Sequence, residues 1–180
     1  QVDAYKGLGQ IYLKQRLYPQ AQETFAFIIK MKKADDATYA ALAEIEEETT
    51  RDVQKAEAYR LKAVDMSPKQ AFRHAELADF YLRQGQLAKA WPEARKASEL
   101  EPNSAKYMEL VLELAVKLGD AKEARQRYNK LRLLSDDRSK FQYWRDKVES
   151  LEREAVGIAK PVVKTEKKTR ARKIDDAAQN

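Results

Sequence analysis

Apolar residues along this chain recur at helical spacing, give way to a short break, and resume at helical spacing, so the chain reads as a succession of helix-turn-helix pairs. The breaks fall where backbone chemistry favours them. Gly85 and Gly119 stand at the ends of helical runs, where glycine adopts a left-handed C-cap without a Cβ penalty. Pro19 follows Tyr18 at the start of a run, a position at which its missing N–H costs nothing. Pro68 and Pro102 close two further runs, because the residue before a proline resists helical geometry. Asp36 and Ser67 are expected as cap or turn residues.

Aligning the chain on itself at a period near 34 residues superposes Tyr5, Leu8, Gly9, Tyr12, Ala21 and Phe25 on Tyr39, Leu42, Ala43, Ala56 and Tyr59. The same frame then meets His74, Leu77, Ala78, Tyr81, Ala90, Ala94, Ala97 and Pro102, and after these Met108, Val111, Ala115, Gly119, Ala124, Tyr128 and Leu131. Four units follow, near 2–35, 36–70, 71–104 and 105–138. The spacing Tyr5-x2-Leu8-Gly9-x2-Tyr12 with Ala21 and Phe25, and again His74-x2-Leu77-Ala78-x2-Tyr81 with Ala90 and Pro102, resembles the tetratricopeptide repeat. That resemblance spans residues 2–138. It departs from the pattern at Glu46, which replaces an aromatic, at a turn around Glu48–Asp52 that carries one extra residue, and at Lys33 and Asp136, where a proline is expected.

Residues 139–157 form one more amphipathic run, with Phe141, Trp144, Val148, Leu151 and Ala155 on one stripe, halted by Gly157 and Pro161. A stack of helix pairs needs a solvated end, which makes this run a capping helix. The expected fold is all-α: a right-handed superhelical solenoid of four such units over 2–157 with its cap. Residues 158–180 carry no apolar period and read as a basic tail, disordered or ordered by a partner.

Composition agrees with helix throughout: only five Gly and five Pro, and 36% charged residues, well above the globular norm of about 25%. There is no cysteine and a single His74, which removes disulfides, thiolate chemistry and a histidine-based zinc site. The net charge of +6 equals that of residues 160–173, where Lys160, Lys164, Lys167, Lys168, Arg170, Arg172 and Lys173 face only Glu166. The rest of the chain is neutral. No apolar stretch is long enough to span a membrane. The chain starts at Gln1, so a leader or an upstream domain removed from it is compatible with the sequence, and a cytoplasmic rather than periplasmic setting is expected.

No catalytic constellation emerges, and no cofactor is expected. His74 sits at a repeat packing position, Gly7 and Gly9 lie inside a helix rather than in a phosphate loop, and Glu46, Glu47 and Glu48 read as a solvated helix end. The tyrosines at 5, 12, 39, 81, 107 and 128 fall at packing positions rather than on a base-stacking surface, and Trp91 reads as a wedge between units.

The family resemblance implies that the first helix of each unit lines a concave surface that holds an extended peptide or partner helix. Helical phase then puts Lys6, Gln10, Leu13 and Lys14 of the first unit on that surface, with Ala37, Ala40, Glu44, Glu47 and Glu48 of the second. The third unit adds Phe72, Ala75, Asp79, Leu82 and Arg83, and the fourth Lys106, Glu109, Glu113, Val116 and Lys117. Its centre is acidic, with room beside Phe72 and Leu82, which favours a basic and apolar protein segment. Relatives that clamp the acidic ends of heat-shock chaperones carry Lys, Asn and Arg where this chain has Lys6, Gln10, Ala41, Phe72 and Glu76, so only the first lysine matches. The expected function is a non-catalytic adaptor that supports assembly of a multiprotein complex. The alternative is a nucleic-acid-associated assembly factor whose tail neutralises phosphates, and self-association or an acidic surface is a further outlet for that tail.

Overall fold

In the computed structural model, residues 1–134 and 137–157 are described, and among them nine helices and no strand are found. The first eight form four helix pairs: α1 (Val2–Lys14) with α2 (Tyr18–Lys30), α3 (Asp36–Glu48) with α4 (Val53–Met66), α5 (Ala71–Arg83) with α6 (Leu87–Leu100), and α7 (Ala105–Leu118) with α8 (Ala121–Leu134). The last, α9 (Arg138–Ala155), packs on α8 and α7. Each helix meets its partner and the neighbouring pair, the nearest-neighbour pattern of an all-α solenoid. The basic tail and Asp136 lie outside the described residues.

Small residues set the spacing within and between pairs. Ala43, Ala78, Ala90, Ala94 and Ala124 are fully buried, and a Cβ at Gly9 would meet the ring of Phe25 at 2.8 Å. Gly9 is therefore the price of bringing α1 against α2. Larger side chains fill the junctions: Phe25, Ile28 and Ile45 between the first two pairs, Leu77, Phe80 and Leu114 further along. Half-buried Trp91 of α6 packs against both the central and the C-terminal clusters, as a wedge between units.

The helix ends follow local chemistry with one shift. Asp35, rather than Asp36, caps α3: its carboxylate accepts the Thr38 N–H at 2.9 Å, and Thr38 returns a bond to the Asp35 N–H. Asp36 is the first helical residue and pairs with Arg73 instead. Gly85 and Gly119 adopt φ of 70° and 78° at the turn of their pairs. Arg16 and Arg51 stand at the same turn of the first two pairs, with φ of 58° and 54°. A side chain there costs about 1–2 kcal/mol, partly offset by the extra chain entropy of glycine in the unfolded state. Arg51→Gly is accordingly expected to stabilise the chain by about 0.5–1 kcal/mol, read as a higher urea midpoint at unchanged slope.

Several expectations are corrected by packing. Glu46 is not solvated: it is buried at 1% exposure, accepts from the Thr50 hydroxyl at 2.8 Å and is paired with Lys55. It fills the place that Tyr12 and Tyr81 hold in the first and third units by turning its charge towards Thr50 and Lys55. Tyr81, Tyr107 and Tyr128 are buried, Tyr12 and Tyr39 half-buried, but Tyr5 is exposed because no unit lies in front of α1 in the described chain. The α9 stripe runs from Phe141 to Leu151, and Ala155 is exposed.

Candidate functional site

The first helices of the four pairs line a common groove, because each presents one face to the next while its opposite side packs on a second helix. Two cavities lie along it. One, of about 270 Å³, is walled by Gln10 and Leu13 of α1, Ala37, Ala40 and Glu44 of α3, and Asp79 and Arg83 of α5. The other, of about 420 Å³, lies between Phe72 and Ala75 of α5 and Lys106, Leu110 and Glu113 of α7. Glu76 and Asp79 border both, so the cavities adjoin.

Arg60 and Arg73, which helical phase did not point to, reshape the electrostatics together with Arg83, which it did. Arg73, 8% exposed, donates to Asp36 at 2.6 Å and to Glu76 at 2.7 Å, and its guanidinium lies 4.3 Å from the Phe72 ring centroid. Arg60 reaches in from α4 and donates to Glu47 at 2.7 Å, while Arg83 bonds Glu47 at 2.8 Å and also pairs with Asp79. The acidic centre read from the sequence is thus largely compensated within the chain. The lining carboxylate left over is Glu44: among the described residues no hydrogen bond or ion pair engages it.

Loss of water against the groove wall pushes the Glu44 carboxyl above the usual range. Arg60 draws it back only in part, and Glu48, Glu47 and Glu76 add to the rise. A raised carboxyl favours the folded state below its unfolded pKa, and that contribution disappears as pH climbs through the folded value. Glu44→Gln is therefore expected to melt above the parent at neutral pH and to match it below the carboxylate range, in thermal melts across a pH series.

At the first pair, Lys6 pairs with Asp35 at 2.7 Å. Burial raises the Asp35 carboxyl, but the bonds from Lys6 and Thr38 outweigh it and hold it at about 2. At the other end Glu109 accepts from Trp144 Nε1 at 3.1 Å and from Lys140 at 3.0 Å, so it anchors α9 as well as bordering the second cavity. Leu82 and Val116 are turned into the packing beneath the groove rather than onto its surface, and Lys14 and Lys117 line neither cavity. Glu47 and Glu48 line neither as well, Glu47 because it is drawn into the arginine pairs. Arg60, Arg73 and Glu76 are the groove residues that phase alone missed. The first comes from a second helix and the other two lie at the edge of the predicted face.

His74 is packed, its Nδ1 at 2.7 Å from Glu93 and its Nε2 at 3.0 Å from the Pro68 carbonyl. Among the described residues no group of three His, Asp or Glu could hold a metal ion, and no helix is long and apolar enough to cross a membrane.

No protein-family profile and no curated protein sequence matches the chain. Solved structures do. The chain superposes on pilF of Pseudomonas aeruginosa with a TM-score of 0.69 at 21% identity, over 87% of this chain and 71% of that one. It superposes on YrrB, described as a TPR protein with an unusual peptide-binding site, with a TM-score of 0.66 at 15% identity, over 81% and 74%. A tetratricopeptide repeat protein from Parabacteroides merdae gives a TM-score of 0.73 at 14% identity, over 87% and 62%. With four tandem helix pairs, the repeat residues packed at their junctions and these structural neighbours, the chain has the tetratricopeptide-repeat fold.

Proposed function

We propose that this chain is a non-catalytic adaptor that holds an extended segment of a partner protein along the groove of α1, α3, α5 and α7, and so supports assembly of a larger complex. The observation that carries the reading is Glu44, an exposed groove carboxylate with no hydrogen bond or ion pair among the described residues, at the wall of one cavity that adjoins a second, more apolar one. A cation brought by a partner gives this carboxylate the charge-assisted bond that the chain itself does not supply. The segment therefore carries Lys or Arg for Glu44 and, a few residues away, an aliphatic or aromatic side chain for the cavity of Phe72, Ala75 and Leu110. A peptide-binding site in YrrB, a protein of the same fold, supports the peptide class of ligand.

Selection of a random peptide library on the immobilised chain tests this directly. The expected result is enrichment of peptides with a basic residue near an apolar one, bound at least about tenfold more weakly by Glu44→Lys, since a like-charge juxtaposition costs several kcal/mol. Removing residues 160–173 is expected to leave that binding unchanged. Peptides that ignore both Glu44→Lys and Phe72→Ala, or that need the tail, overturn the reading.

A further inference from the structure

The charges that wall the groove cancel in pairs almost throughout. At the first cavity Arg73 holds Asp36 and Glu76, Arg83 holds Glu47 and Asp79, and Arg60 holds Glu47 as well. At the second, Glu109 is taken by Lys140 at 3.0 Å and Glu113 by Lys117 at 3.7 Å. Two charged groups lining these cavities are left over, Glu44 on α3 and Lys106 on α7, neither in an ion pair with any described residue. They are opposite in sign and stand on the two helices that flank α5, with the apolar surface of Phe72, Ala75 and Leu110 beside Lys106.

Lys106 is left over for a local reason. The carboxylate one turn further along its own helix, Glu109, accepts from Lys140 and from Trp144 Nε1 of α9, and Glu76 across the cavity is held by Arg73. What Lys106 keeps is the Tyr107 ring, with its Nζ 6.0 Å from the centroid, at the outer limit of a cation–π contact.

The separation of the two charges follows from register. Counted from the buried pairs Leu42–Ala43, Leu77–Ala78 and Val111–Leu112, Glu44 holds the position of Asp79 and Lys106 the position of Phe72. They therefore lie two helix spacings apart across the groove and two turns apart along the helix axis. With about 9 Å between packed helices and about 10.5 Å for two turns, the span is about 20 Å. An extended segment rises about 3.3 Å per residue and covers that span in about six residues.

The geometry points to a surface that reads charges of both signs: the segment held in the groove carries an Asp or Glu side chain for Lys106, about six residues from the basic side chain that meets Glu44, with its apolar residue between them. The inference rests on the peptide reading given above and adds to it a second anchor of opposite charge. A segment that is basic throughout brings a cation against Lys106 and is selected against.

Anisotropy titration of the library-selected peptides, acetylated and amidated so that their termini carry no charge, is the test on the full chain. The enriched peptides are expected to hold an acidic residue about six positions from the basic one. Lys106→Glu is expected to weaken their binding by about fivefold to tenfold, and exchanging the peptide's acidic residue for Lys to restore most of it. An unchanged helical spectrum is expected for this variant, because Lys106 is exposed. Lys122→Glu, exposed on α8 outside both cavities, alters net charge equally and is expected to leave affinity within about twofold, since about 0.1 M salt screens charges more than about 10 Å apart. Peptides that need Glu44 but carry no acidic residue, or that ignore Lys106→Glu, overturn this inference and leave the peptide reading standing. An equal loss in Lys122→Glu traces the effect to the overall field and overturns it too. A selection that returns no binder, or peptides indifferent to Glu44→Lys, Phe72→Ala and Lys106→Glu alike, takes down both.

Discussion

Replacing Phe80 with alanine is expected to lower the unfolding free energy by about 4 kcal/mol and the melting midpoint by about 10 °C. The ring is fully buried at the centre of the cluster of Ala56, Leu77, Ala90, Val111 and Leu114, 5.6 Å from Tyr81 and beneath the Arg60 guanidinium at 5.5 Å. Removing it takes away the apolar transfer energy and leaves a cavity between stiff helices that cannot close up without shifting a whole pair. Because a solenoid is coupled only through neighbouring units, damage at this junction divides the array. Hydrogen exchange should then show α3 to α6 opening ahead of α7 and α8. Arg60 loses the surface under it, so peptide binding in the adjoining cavity should weaken as well. Phe27→Ala is the control: that side chain is exposed, and its loss should cost no more than about 0.5 kcal/mol.

Trp144→Ala is expected to cost about 3–5 kcal/mol locally, and to be read differently because of where it falls. Trp144 packs with Met108, Leu112, Tyr128, Leu131 and Val148, and its ring N–H holds Glu109 at 3.1 Å. Without it, α9 is held by Val148, by half-buried Phe141 and Leu151, and by the Arg125–Glu152 pair, which is partly exposed and worth under about 1 kcal/mol. The terminal helix should come off in its own low-temperature transition before the rest of the array unfolds. Calorimetry should resolve two transitions instead of one, and a hydrophobic dye should report the newly uncovered Met108, Leu112 and Leu131. Trp144→Phe keeps most of the apolar contact and should retain a single transition.

These two residues also mark how much of the molecule was legible beforehand. Trp144 was readable as the inward stripe of a cap, since its neighbours Phe141 and Val148 repeat at three and four. Phe80 was not singled out, because it precedes the signature tyrosine Tyr81 by one residue and its burial comes from α4, a different unit. The groove was half legible in the same way. Gln10, Glu44 and Asp79 follow from helical phase once the first helices are known to face it, whereas Lys14 and Lys117 share that phase and still fall outside the cavities.

Helix pairs, breaks and packing glycines come from interactions within a turn or two of chain, so periodicity, Pro68, Gly85, Gly119 and the small residues at Gly9, Ala43 and Ala78 were enough to specify an all-α repeat. Which charges neutralise one another is a matter of distance in space. Arg73 meets Asp36 across 37 positions and Arg83 meets Glu47 across 36, while Arg60 enters the groove from a second helix. Those meetings depend on how each pair is rotated on the one before, which is set by the fit of Phe80, Ile45 and Leu114 at the junctions and by no local pattern. For the same reason only the folded chain shows that Glu44 and Lys106 are left without an ion-pair partner among the described residues.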